Sequence, residues 1–188
     1  MAEAQDFLTG QLLIAMPGMP DPRFAHSVIF MCMHDDRGAM GLIVNQIVDG
    51  LAFDKLLEQV GIEDKPAKRQ IAIHMGGPVE SGRGFVLHSN DYSIDTTLDV
   101  DGRVRLTQSI EVLKEISRGG GPRQCLLALG YAGWGPGQLE REIQQNGWLN
   151  VTADEELIFS TEIAEKWRRA LAKMGIDPTM LSSSAGRA

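Results

Sequence analysis

The residue types able to do chemistry are few and scattered along the chain. Four histidines, His26, His34, His74 and His88, and two cysteines, Cys32 and Cys125, are the candidate bases, ligands and nucleophiles. They show no metal-ligand spacing, with neither a His-Glu-x-x-His nor a Cys-x-x-Cys pair. The consecutive run His34-Asp35-Asp36 would not converge on one ion from a turn, so neither a metal nor a cofactor is expected. His74 and His88 flank a glycine-rich loop, Gly76 to Gly84, and an acid–base pair meeting across it beside Glu80 and Arg83 is one enzymatic reading. Cys125 gives another: Arg123, two residues away on the same face of a strand, would lower the thiol pKa if the sulfur were exposed. Exposed or half-buried strand histidines and reduced core thiols are the plainer expectation. No serine sits in a Gly-x-Ser-x-Gly elbow, and no catalytic set is assigned.

Two motifs fail on mechanism. Gly77-Pro78-Val79-Glu80-Ser81-Gly82-Arg83-Gly84 has glycines near the spacing of a phosphate-binding loop. However, Arg83 and Gly84 stand where the lysine and the Mg²⁺-binding hydroxyl belong, and a strand follows instead of a helix N-terminus. Asp99-Val100-Asp101-Gly102 has the look of a calcium loop, but placing Gly102 at the sharp turn puts Thr97 first and Gln108 last, so both anchoring carboxylates are missing. The densest group of unusual residues runs from Gly130 through Tyr131, Trp134, Gln138 and Glu140, followed by Asn146-Gly147-Trp148. Glycine with aromatics where a strand gives way to a helix implies a backbone at special angles beneath aromatic faces, which suits either a ligand cleft or a structural corner.

Charge narrows the partners. With 18 Lys+Arg against 25 Asp+Glu the formal net charge is −7, which opposes loose association with a phosphate backbone or an anionic membrane surface. The only compact basic groups are Lys65, Lys68 and Arg69 and the Arg168/Arg169 pair, without a recognition element, so direct DNA binding is not expected. No apolar run approaches the roughly 20 residues of a membrane span. The acidic start lacks the features of a secretory signal, and the cytoplasm is the expected compartment.

The elements that must position these residues are read from periodicity. Leu12 to Met16 and Ser27 to Met33 are apolar strands separated by the proline-rich Pro17 to Pro22, and Gly41 to Ile47 makes a partner strand. Phe53, Leu56, Leu57 and Val60 mark a short amphipathic helix. Ile71 to Met75 and Gly84 to His88 are strands, and Ile94 to Leu106 forms a hairpin whose apolar faces require a bulge or longer loop around Asp101-Gly102. Thr107 is expected to cap a helix with Ile110, Leu113 and Ile116 inward. Cys125 to Tyr131 is a buried strand, and Pro136 opens a helix carrying Leu139 and Ile143. Trp148 to Val151 and Glu156 to Phe159 are strand-length. In the last helix Ile163, Trp167, Ala170, Leu171 and Met174 face the core, and Glu162/Lys166 and Glu165/Arg169 form i, i+4 pairs on the wet face. Strands and helices do not alternate regularly, so the chain reads as one α+β domain, residues 1–188, with mixed sheets, packed helices and flexible ends at 1–7 and 182–188.

Several of these motifs, in order, resemble the bacterial AlgH/YqgE family, a largely uncharacterised group. They are Leu8-Thr9-Gly10-Gln11 through Pro17, Phe24 through Phe30, Gly38 through Asn45, Gly76-Gly77-Pro78-Val79, and Gly130 through Trp134. With these go Gly137-Gln138-Leu139-Glu140, Glu142, Asn146 and Trp148. The resemblance runs from about Leu8 to Leu181. It implies a single-domain α+β fold and the label of transcriptional regulator, and carries over no catalytic residue. A net charge of −7 turns that label toward indirect regulation. The expectation is a non-enzymatic binding or regulatory module for a protein or small-molecule partner, with its cleft near Gly76, Gly77, Arg83, Tyr131, Trp134, Gln138 and Glu140. The alternative is an enzyme with a site near the 76–84 loop using His74, His88 or Cys125.

Overall fold

The computed structural model describes residues 7–63, 66–160 and 162–180. Its strands are β1 (Gln11–Ala15), β2 (Val28–Asp35), β3 (Gly38–Ile43), β4 (Ile73–Met75), β5 (Val79–Ser89), β6 (Leu98–Asp99), β7 (Val104–Thr107), β8 (Cys125–Trp134) and β9 (Trp148–Thr152). Five α-helices accompany them among the described residues: α1 (Phe53–Gln59), α2 (Ile110–Ser117), α3 (Gln138–Gln144), α4 (Glu155–Phe159) and α5 (Lys166–Lys173). The strands form one curled sheet in the order β6-β7-β5-β8-β3-β2-β1-β9, with β4 beside β8. The β4–β8 pair is parallel and the others are antiparallel.

β8 joins the two halves. Its first half, Cys125 to Leu129, pairs with β4 and β5, and its second half, Ala132 to Trp134, pairs with β3. Gly130 lies between them at φ +75, a conformation open to glycine at little cost. There the alternation of side chains slips by one residue. Ala128 and Tyr131 consequently face the same core cluster, whereas an unbroken strand would send them to opposite sides.

The sheet buries both faces. One face, with Leu12, Phe30, Leu42, Leu87 and Ala128, packs under α4 and α5. The other is divided: α1 and α2 cover Ile73, Val86 and Leu127, while α3 covers Leu13, Ile29, Ile43 and Trp134. Burying both faces explains why these strands read as continuous apolar runs.

Some sequence expectations are corrected. Glu156 to Phe159 is helical, because Asp154 accepts a hydrogen bond from the Leu157 N–H and caps α4. Ser109, not Thr107, caps α2, and this turns Ile110 outward and Val112 inward. Pro136 lies ahead of α3, which starts after Gly137 at φ +71. The partner strand spans Gly38–Ile43 and so begins and ends earlier than 41–47. The hairpin has a four-residue connection, with Leu98 opposite Leu106 and Asp99 opposite Arg105. The largest revision is at Lys166. A 3-10 turn over Ile163–Glu165 changes the helical phase, and Lys166 enters the core at 1% exposure, donating to the Val44 and Ile158 carbonyls at 2.8 and 2.6 Å. Arg169 pairs with Glu162 and Glu156 instead of Glu165. The expected flexible ends at 1–7 and 182–188 lie outside the described residues except for Phe7, as does Lys65.

Candidate functional site

The predicted site residues are spread over distinct environments. Gly76 and Gly77 form a backbone crossing. The Gly76 N–H donates to the Leu129 carbonyl at 2.7 Å, and its own carbonyl accepts from Ile43 N–H at 2.9 Å. A Cβ on Gly77 would land on the Tyr131 main chain, and one on Gly130 would land on the Gly77 carbonyl. This pair therefore shapes the support of the cleft.

Arg83, Tyr131 and Trp134 do come together. They line a cleft of about 740 Å³ whose floor is Met40, Phe85 and Tyr131 and whose edge carries Met33, 51% exposed. Val79, Gly133 and Trp134 also border a second cleft of about 420 Å³, lined further by Phe24, Gln138, Glu142 and Trp148. The arginines around both mouths are paired within their own turns: Arg23 with Asp21 at 2.7 Å, Arg37 with Asp35 at 2.9 Å, and Arg83 with Glu80 at 3.1 Å. Arg83 also donates to Gln108 and lies 5.3 Å from the centre of the Phe85 ring. Its partner Glu80 adopts φ +46, an uncommon left-handed conformation for a residue with a side chain.

Glu142 organises the corner beneath. Its Oε1 accepts from both indole N–H groups, Trp134 at 3.2 Å and Trp148 at 3.1 Å, and its Oε2 accepts from Gln138 at 3.0 Å. The Gln138 oxygen in turn accepts from Gly135 N–H. Asn146, at φ +59, ends α3, as asparagine readily does in that conformation. Glu140 points elsewhere, to His34, with 2.7 Å between Oε1 and Nε2. Since His34 Nδ1 accepts from Leu8 N–H, its proton is assigned to Nε2 and is donated to Glu140. Partial burial would raise the Glu140 pKa, but its own amide and His34 outweigh this and hold it below the usual carboxylate value.

The three groups of the enzymatic alternative do not share a site. His74 and His88 flank β8 on β4 and β5 and face opposite sides of the sheet, since His74 alternates with Ile73 and His88 shares a face with Val86. His88 is saturated: Nδ1 meets the Ser89 carbonyl and Nε2 the Thr107 hydroxyl, each at 2.8 Å. Burial lowers its pKa. Cys125 and His74 both border a smaller recess of about 280 Å³. Burial raises the Cys125 thiol pKa more than the neighbouring Arg69 lowers it, and burial together with the Lys166 charge takes His74 down to about 4. Both groups are held neutral, which leaves the thiol without activation. Asp99 and Asp101, read as a failed calcium loop, accept from the Gly102, Arg103 and Val104 N–H groups of their own turn.

Met33, Met40 and Val79 were not among the expected site residues, because an apolar side chain on a strand is read first as core. A signal did exist for Met33, which ends a run of core residues at a turn. Lys166 left no such signal, since its spacing fits an exposed ion pair equally well.

Comparison with known proteins gives a consistent placement. An AlgH-like family model matches residues 12–179. A UPF0301 protein of Rhodopseudomonas palustris is 53% identical, covering 99% of this chain and 89% of that protein. A UPF0301 protein of Rhodospirillum rubrum is 46% identical, covering 98% and 96%. The solution structure of the AlgH protein from Pseudomonas aeruginosa is similar with a TM-score of 0.80 at 39% identity, covering each chain fully. A crystal structure of a Corynebacterium diphtheriae protein shares the fold with a TM-score of 0.73 at 20% identity, covering 96% of this chain and 94% of the other. A family match across nearly the whole chain, with relatives above half identity, makes this protein a member of the AlgH-like family.

Proposed function

We propose that this chain is a non-enzymatic binding module and that its larger cleft, floored by Met40, Phe85 and Tyr131, receives an apolar-faced segment of a partner protein. One observation carries this reading: each arginine around the clefts is already paired with a carboxylate two or three residues away, while Met33 and Val79 stay exposed. A mouth with paired charges and an apolar floor offers little to a phosphate chain and much to a protein surface. Methionine side chains adapt to irregular partners. Any effect on transcription would run through this protein contact and not through DNA.

A photo-crosslinking residue placed at Met33 in cells tests the proposal. The expected result is a discrete adduct that Tyr131→Ala abolishes and that a crosslinker at Leu98, on the edge strand β6, does not produce. Identical adducts from both positions overturn the reading. A specific DNA fragment retarded at about 0.15 M salt overturns the indirect route.

A further inference from the structure

The larger cleft and its smaller neighbour lie on opposite faces of the sheet. Met40, Phe85 and Tyr131, the floor of the first, share a face with Leu12 and Phe30, whereas Phe24, Trp134 and Trp148, which line the second, share the other face with Leu13 and Ile29. The residues common to both linings are Val79, Gly133 and Trp134. The two clefts therefore meet at the end of β8.

There β8 has an open edge. On one side Ala39 pairs with Trp134, Met40 with Gly133 and Gly41 with Ala132. On the other side the pairing stops at Val79 opposite Tyr131, because the chain ahead of Val79 leaves through Pro78 to the crossing at Gly77, which packs on the Tyr131–Ala132 main chain. Alternation along β3 gives the direction of the main-chain groups. The Val44 N–H donates back to Val28, beside β2, while the Ile43 N–H points the other way, to Gly76. Gly41 therefore also points away from β2 and exchanges its bonds with Ala132. Gly133, one residue further along β8, directs its N–H and carbonyl away from β3, to the unpaired side. It is exposed between buried Ala132 and Trp134, with no side chain of its own to cover it.

We propose that this edge takes an extended segment of a partner protein as an added strand, which rests on the larger cleft being the partner site. The residue opposite Gly133 exchanges both main-chain hydrogen bonds with it and sets its side chain on the Tyr131 face, over the floor of the larger cleft. Its neighbours in the segment point to the other face, towards Phe24 and Trp148, because the side chains of a strand alternate. The partner is thereby specified as a short apolar run, large at its centre, whose successive side chains are divided between the two clefts. An amphipathic helix carries its apolar side chains on one face and would fill one cleft only.

Titration of the full chain with the acetylated and amidated peptide Lys-Thr-Val-Phe-Val-Thr-Lys, followed by the Gly133 amide and Met33 methyl resonances, tests it. The expected result is a saturable downfield shift of the Gly133 amide together with movement of Met33. N-methylation of the peptide's Phe removes its donor to the Gly133 carbonyl and should weaken binding at least about 10-fold. N-methylation of the Val before it, whose amide faces away from β8, should change binding by less than about 3-fold. Equal affinity of the two N-methylated peptides, or movement of Met33 without Gly133, overturns strand addition and leaves the apolar cleft standing. A Gly133 amide unmoved up to about 5 mM peptide also overturns it, and the cleft is then judged separately by the crosslink at Met33.

Discussion

Trp134 and Trp148 meet edge to face, with ring centres 6.0 Å apart at 79°, and both indole N–H groups end on one oxygen of Glu142. This joins the end of β8 to the start of β9 through a residue of α3. The carboxylate suits the position because a single ionised oxygen accepts two donors, and charge-assisted bonds are stronger than neutral ones.

Glu142→Ala strands two largely buried indole donors. The expected loss is about 2–4 kcal/mol in urea unfolding, with Trp emission shifted to the red. Glu142→Gln keeps an acceptor oxygen and should lose less than half as much. Equal losses in the two variants would deny the carboxylate its special part.

At the crossing of Gly77 and Gly130, an added methyl group meets main chain that cannot yield. Gly77→Ala and Gly130→Ala should each cost more than about 4 kcal/mol or prevent folding, whereas Gly82→Ala, with open space around it, should stay within about 0.5 kcal/mol. Chemical denaturation or soluble yield distinguishes them.

Stability should fall on acidification earlier than carboxylate titration alone would cause. His74 is pushed from 6.5 to about 4 in the folded state, so between those values the unfolded chain binds a proton that the folded chain refuses. Stability therefore declines as pH drops below 6.5 and levels off below 4, by about 3 kcal/mol in all. His88, lowered by burial, acts in the same direction. His74→Leu should remove most of the slope in that window. For Lys166, lowered by burial from 10.5 to about 7, stability rises with pH between 7 and 10.5. Lys166→Met should flatten that limb.

Thiol labelling at pH 8 should separate the two cysteines. Burial pushes Cys32 from 9.0 up to about 12, cutting its thiolate fraction about a thousandfold. Cys125, half-buried and raised by the same cause, should react slowly in the native protein and Cys32 only after unfolding. Rapid native alkylation of Cys125 would revive a nucleophilic role.

Local pattern made much of the fold readable. The apolar runs of β1, β2 and β8 and the spacing of Phe53, Leu56 and Leu57 in α1 are set by which side chains must leave water. The errors fall where one residue decides the outcome. Asp154 turns a strand-like apolar stretch into α4 by offering its cap, and the 3-10 turn before α5 sends a lysine into the core that periodicity alone places outside. At the site, Arg83, Tyr131 and Trp134 were recognisable by type, and the structure gathers them. Glu140 and the glycine pair carry equally prominent motifs and serve other contacts, because composition marks an unusual backbone without saying what lies above it.

The β1–β9 pair sets Gln11 opposite Thr152, so β1 finds its outer neighbour only after the long stretch of chain between them has been made. At ribosomal rates this leaves β1 with an open edge for roughly 10–30 s after it emerges, longer than most strand pairings take to form. An apolar strand waiting with unpaired amides is a template for wrong partners. Newly made chains should consequently depend on dilution or chaperone cover during translation more than the finished sheet, with both faces packed, would lead one to expect.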